Sequence, residues 1–263
     1  MPQVLRGDRL VHYTQGGEGP GLVLVPGLGS GSKLFGTLPR RFARAGFTCA
    51  AVDPVGIEPS SPLPAGVYDF DEAARDVLAV AARLPQPVAL VGTSLGGKVA
   101  LRAASLQPEA VGRLVMLCST AVVSARARRI YRMFELMSTE VDGKLFGDLI
   151  APFLFGSTFL QTKTGVVDDI LRSMRPTPTS RAFMAAQARA LQQWDGNSDT
   201  RTCRATTLCL AGAEDTLSPP SEIEDTAARI PGARYGAIAN AGHSLLLESA
   251  TAFLEVTRFL LAR

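Results

Sequence analysis

Residues 88–100 read VALVGTSLGGKVA, an apolar run that breaks at Gly92-Thr93-Ser94-Leu95-Gly96-Gly97-Lys98 and resumes in helix formers. Two chemistries share this string. Gly92-x-Ser94-x-Gly96 has the spacing of a nucleophile elbow, a sharp strand-to-helix turn that presents a serine hydroxyl. Gly92 through Lys98 also fills the first seven positions of G-x-x-x-x-G-K-[ST], a loop that cradles phosphate. The eighth position separates them. A phosphate loop needs a hydroxyl there for Mg²⁺, and this chain has Val99. A glycine-rich turn without chemistry stays open until Ser94 finds partners.

Outward from this turn, short apolar runs recur. Gly21–Val25, Phe47–Val52, Pro87–Val91, Leu114–Cys118 and Thr207–Ala211 each read as a strand covered on both faces, the mark of a parallel sheet. Between them lie helical patterns. Phe70, Ala74, Val77, Ala81 and Leu84 step by four and three onto one face, as do Leu246, Ala250, Phe253, Val256 and Leu260. Strand alternating with helix predicts a doubly wound α/β sheet. Arg9–Thr14 reads as part of an antiparallel edge hairpin. The rhythm stops over 121–204, which reads as helices alone and carries Met133, Phe134, Phe146, Phe155, Met174, Phe183 and Trp194. Inserted between two strands, this stretch is expected to cap a core made of residues 1–120 and 205–263. Most of its aromatics serve packing, but a cap over the carboxyl ends of the strands also walls a pocket, with Phe155 and Trp194 as candidate lining.

Ser94 needs a base, and the chain holds two histidines, His12 and His243. His12 falls in the edge hairpin and reads as a surface or hairpin residue. His243 follows the strand-like Arg234–Ile238 and precedes the last helix, which places it in a loop level with the elbow. The base in turn needs an acid to fix its tautomer. The strand Thr207–Ala211 runs into Gly212-Ala213-Glu214-Asp215, and Asp215 sits one residue deeper into the loop than its competitor Glu214. Asp53 also ends a strand but precedes Ser94. The order Ser94, Asp215, His243 follows.

Over nearly its whole length the chain resembles the α/β-hydrolase superfamily. It is similar to the capped branch of esterases, enol-lactone hydrolases, carbon–carbon bond hydrolases and cofactor-free haloperoxidases. The residues that carry the resemblance are Leu24-Val25-Pro26-Gly27-Leu28-Gly29, Asp53-Pro54-Val55-Gly56, Gly92–Gly97, Gly212–Asp215 and Gly242-His243. Two departures stand out. Pro26-Gly27 replaces the usual His-Gly, and Gly56-Ile57-Glu58-Pro59-Ser60-Ser61 replaces G-x-G-x-S. The resemblance implies a serine hydrolase with Ser94, Asp215 and His243 as catalytic residues and the N–H groups of Leu28 and Leu95 as the oxyanion hole. The expected substrate is a carboxylic ester or lactone of small to medium hydrophobic character. A thioester or a carbon–carbon bond would use the same triad, and a non-catalytic small-molecule receptor can share the fold. A serine at the elbow argues against the branches with a carboxylate nucleophile. Lys98 reads as an exposed helix residue, with contact to an anionic substrate group as the rival.

Composition narrows the classes further. The 263 residues are 46% hydrophobic and 19% charged, with a net charge of +3 and no long basic run, so no nucleic-acid partner is expected. No apolar run reaches the ~18 residues of a membrane span. The first residues show no apolar signal region. Cys49, Cys118, Cys203 and Cys209 have no C-x-x-C spacing, which suggests free thiols in a cytoplasmic, reducing setting. Two histidines make a zinc site unexpected, and no metal or organic cofactor is implied.

Overall fold

The apolar runs find one another in a single sheet. The computed structural model describes residues 2–173 and 177–262; Met174 therefore lies outside the described residues. Its strands are β1 (Gln3–Arg6), β2 (Arg9–Gly16), β3 (Gly21–Val25), β4 (Thr48–Asp53), β5 (Val88–Thr93), β6 (Val111–Leu117), β7 (Thr206–Gly212) and β8 (Arg234–Ile238), ordered β1-β2-β4-β3-β5-β6-β7-β8. The hairpin β1–β2 is antiparallel and joins β4 antiparallel, while every later neighbour is parallel. All residues of β3 and β4 are buried, which is why they read as unbroken apolar runs.

Successive strand residues point to opposite faces. Val23, Val25, Ala50 and Val52 enter one core with Val77 and Leu101, while Leu22, Leu24, Cys49 and Ala51 enter another with Phe42 and Phe253. The helices covering the sheet begin with α1 (Leu38–Arg44), α2 (Phe70–Ala81) and α3 (Leu95–Leu106). Asp69 caps α2, its carboxylate accepting from the N–H of Asp71 at 2.7 Å. Between β6 and β7 the described chain is helical: α4 (Ala125–Glu140), α5 (Gly143–Leu154), α6 (Ser157–Thr162), α7 (Thr164–Ser173), α8 (Pro178–Leu191) and α9 (Asn197–Thr202). The chain then returns to pair β7 directly beside β6, Arg113 opposite Thr206. After β7 come α10 (Pro220–Arg229), α11 (Leu245–Glu248) and α12 (Ala250–Leu261). The C-terminal apolar period thus spans two helices, divided at Ser249, whose hydroxyl caps α12.

Two polar residues differ from their expected places. Lys98 is not exposed: only 1% of it reaches solvent, and its Nζ donates to Thr120 O at 2.6 Å. His12 lies in the edge hairpin as expected, opposite Gln3, but it is not on the surface: it is buried, with Asp53 on its other side in the β2–β4 register. Among the described residues no helix is long and apolar enough to cross a membrane.

Candidate active site

The elbow forms where β5 meets α3. Ser94 stands between them at φ 55°, ψ −120°, a conformation that L residues rarely adopt and that costs energy to hold. Two glycines make the turn possible. A Cβ on Gly92 would meet the Gly96 carbonyl oxygen at 2.2 Å, and one on Gly96 would meet the Val25 carbonyl oxygen at 2.2 Å. The turn is locked from β6: the Ser94 N–H donates to Leu117 O at 2.8 Å, and the Ser119 hydroxyl donates to Ser94 O at 2.7 Å.

The loop after β8 carries His243, buried beside the loop after β7. His243 Nδ1 lies 2.8 Å from Asp215 Oδ2. The other carboxylate oxygen of Asp215 accepts from the N–H groups of Leu217 at 2.8 Å and Ser218 at 2.9 Å, so the carboxylate cannot swing away. Glu214 turns the opposite way. It accepts from the Thr158 N–H at 2.8 Å and the Thr158 hydroxyl at 2.5 Å, tying α6 to the β7 loop. Glu248 organises the histidine loop by accepting from the N–H groups of Gly156, Gly242 and Ser244 at 2.9, 2.8 and 3.0 Å. Burial raises its pKa against the pull of those donors. Cys118 links the two halves: it precedes Ser119, and its thiol donates to Gly242 O at 3.7 Å.

Cys118, Asp215 and His243 each bring one potential metal-ligand atom within 4.8 Å of the others. Burial, then the charge of Asp215, push the Cys118 thiol well up from its ordinary pKa. Two members of the cluster already form the hydrogen-bonded imidazole–carboxylate pair.

The loop 26–32 brings Leu28 to the elbow side, while Leu95 opens α3. Here the departure at Pro26 is answered by other residues. The Gly29 N–H donates to Gln187 Oε1 of α8 at 2.7 Å. The Ser32 N–H and hydroxyl donate to the two oxygens of Asp53 at 2.6 and 3.1 Å. Asp53 is held in turn by His12 Nδ1 at 2.6 Å, and Ser60 of the altered loop bridges the His12 N–H and the Asp53 carbonyl. Helix α8 presses on both loops: a Cβ on Gly29 would lie 2.5 Å from Met184, and one on Gly56 would lie 2.2 Å from the Phe183 ring.

Phe155 and Trp194 are placed differently from Ser94's neighbours. The Phe155 ring stacks on Phe159 at 5.6 Å while its backbone abuts Gly242. Trp194 donates to Ala121 O at 2.8 Å and packs on Phe70 at 4.4 Å. Phe155 is committed to packing, whereas Trp194 lines a cleft shared with Tyr68, Phe70, Arg102 and Asp199; neither lines the cavity along Leu95. That cavity, of about 220 Å³, runs along Val25, Pro26 and Leu95, past Tyr68, to Arg9 and Asp76. Sequence reasoning missed Gln187 and Glu248, because no local motif marks them and their partners lie far along the chain.

The strand order, the turn at Ser94 and the His243–Asp215 pair on the loops after β7 and β8 sit on a recognisable fold. The chain belongs to the alpha/beta hydrolase fold family, whose model matches residues 20–250. It is 31% identical over 265 residues to the pimeloyl-[acyl-carrier protein] methyl ester esterase of Xanthomonas campestris pv. campestris, covering 93% of this chain and 96% of that one. It is 30% identical over 262 residues to polyketide synthase ThaQ of Burkholderia thailandensis; this chain spans only 12% of that protein's length. Among solved structures, MGS-M2, an alpha/beta hydrolase enzyme from a Medee basin deep-sea metagenome, superposes with a TM-score of 0.90 at 18% identity, covering 100% of this chain and 98% of that one.

Proposed function

We propose that the protein is a serine hydrolase that cleaves a carboxylic ester or lactone of small to medium hydrophobic character through an acyl-enzyme. The observation that carries this reading is the buried His243–Asp215 pair on loops joined, through Cys118 and Ser119, to the strained Ser94. His243 takes the Ser94 proton as Oγ attacks the carbonyl carbon. The carbonyl electrons move onto oxygen, which the N–H groups of Leu28 and Leu95 stabilise. Collapse expels the alcohol, which receives the proton from His243. Water then attacks the acyl-Ser94, giving its proton to His243, and the acid leaves as the proton returns to Ser94. Asp215 holds the imidazole tautomer throughout.

In this reading residues 121–204 act as a cap, and α8 is the element that reaches the oxyanion loop. The relative named for a methyl ester favours oxygen esters over thioesters and carbon–carbon bonds. Four buried free cysteines suit a reducing cytoplasm. A panel of p-nitrophenyl esters tests the reading. Turnover by the wild type and its loss in Ser94→Ala, by about 10³-fold or more, is the expected result. Binding without turnover would make the protein a receptor.

A further inference from the structure

The loop after β3 is gripped by a helix of the inserted segment, and the grip falls beside the elbow. Residues 27–30 form a turn: the Ser30 N–H donates to Gly27 O at 3.3 Å, and Gly29, its third residue, has φ +66°. A positive φ at that position is the type II pattern, which glycine adopts without strain. The Gly27 end of the turn abuts the elbow. A Cβ on Gly27 would lie 3.4 Å from Thr93 O and 3.5 Å from Ser94 Cβ.

The direction of the Leu28 N–H follows from planarity. It shares a trans peptide with Gly27 O, so the two point opposite ways. Gly27 O faces inward to the Ser30 N–H, and the Leu28 N–H therefore faces out of the turn. The next peptide, between Leu28 and Gly29, is pinned at both ends. Its N–H donates to Gln187 Oε1 at 2.7 Å, and its carbonyl accepts from the Ser30 hydroxyl at 3.2 Å. Type I and type II turns differ by rotation of this middle peptide, so an unpinned turn can pass between them. The Ser30 contact is local and long, whereas Gln187 reaches in from α8, 158 residues away, and is fully buried. Met184 and Phe183 of the same helix fill the space beside Gly29 and Gly56, but apolar packing sets no peptide direction. A hydrogen bond does.

Holding that oxygen in place has a cost. Gln187 Nε2 is buried with no hydrogen-bond partner among the described residues, and an orphaned donor destabilises the fold. We infer that Gln187 is a positioning residue for the proposed reaction: its oxygen fixes the peptide next to the Leu28 N–H and so sets where that donor meets the developing oxyanion. The inference rests on the hydrolase reading above and on Leu28 as a donor there. One displaced donor forfeits part of the roughly 10²–10³-fold that such a group supplies.

Gln187→Met tests this by removing the acceptor while keeping the length of the side chain. It abolishes the orphan at Nε2 and creates one at the Gly29 N–H, so the melting temperature should move little. On p-nitrophenyl butyrate, kcat should fall about tenfold while KM stays within about twofold. Affinity for 1,1,1-trifluoro-2-hexanone, which adds to an active serine and leaves an oxyanion in the hole, should fall by the same factor as kcat/KM. Wild-type kcat, or a fallen kcat with unchanged ketone affinity, overturns the proposal, because a residue that only packs α8 does not act on the oxyanion. Should Gln187→Met fail to fold, Gln187→Asn asks the same question. It withdraws the amide from Gly29 by one methylene and should give the same paired losses; wild-type values there overturn the proposal. Failure of the underlying hydrolase reading looks different: the wild type then neither cleaves the ester nor binds the ketone.

Discussion

At the scale of single residues, the acid is the sharpest choice. Glu214 and Asp215 are adjacent, and sequence alone prefers the second only by its depth in the loop and by resemblance. Their side chains part company in space, Asp215 toward His243 and Glu214 toward Thr158. Asp215→Asn should therefore lower kcat by about 10⁴, the handicap of a wrong tautomer in a comparable serine-protease triad. Glu214→Gln should cost far less, and a larger loss from it on the same ester would reverse the assignment. Lys98 is a residue that sequence reasoning misplaced. Its Nζ donates to Thr120 O at 2.6 Å, and burial lowers its pKa from 10.5 to about 7. Below pH 7 the folded and unfolded chains both hold this proton, and the full cost of burying the charge is present. From pH 7 to 10.5 only the unfolded chain keeps it, so this group makes stability rise with pH. Denaturant titrations of wild type and Lys98→Met should show the wild type gaining on the variant over that window, by at most about 1.4 kcal/mol per pH unit. A pH-independent difference would mean the lysine stays charged.

At the scale of elements, the elbow was legible because its demands are local. Gly92, Ser94 and Gly96 lie within one turn, and the close approach of strand and helix admits no side chain at the two glycines. The supports of the loop after β3 were not legible, because they are distant pairings. Gln187 is 158 residues from Gly29, and Asp53 is 21 from Ser32. Nothing in the local pattern of α8 announces that its amide will meet a loop after β3. The same distance explains His12, which does lie in the hairpin but whose burial against Asp53 comes only from the β2–β4 register. Gly29 offers a test at this scale. Its φ is +66°, and a Cβ would overlap Met184 of α8. Gly29→Ala should displace α8 or the loop and lower kcat about tenfold or more while Asp215 and His243 stay in place. Pairing it with Met184→Ala should restore part of the loss; a variant with wild-type kcat would show that α8 does not govern the loop.

At the scale of the whole molecule, the parallel sheet was readable from continuous apolar strands, and the helical detour between β6 and β7 from the break in their rhythm. The packing of that detour was not readable. Phe155 and Trp194 have the composition of a pocket wall; the folded chain stacks one ring on Phe159 and sets the other against Phe70 at a cleft away from Leu95. Aromatic side chains bury well wherever a partner face is offered, and sequence does not say which face that will be. In the proposed mechanism, loops from β5, β7 and β8, each placed by a different part of the fold, converge to make one serine nucleophilic. A fluorophosphonate reports that convergence directly, because it reacts with an activated serine and marks it covalently. Treating the folded protein and mapping the adduct by mass spectrometry should find it on Ser94, with labelling suppressed in His243→Ala and absent in Ser94→Ala. An adduct on another serine, or none on folded protein that still turns over esters, would contradict the account.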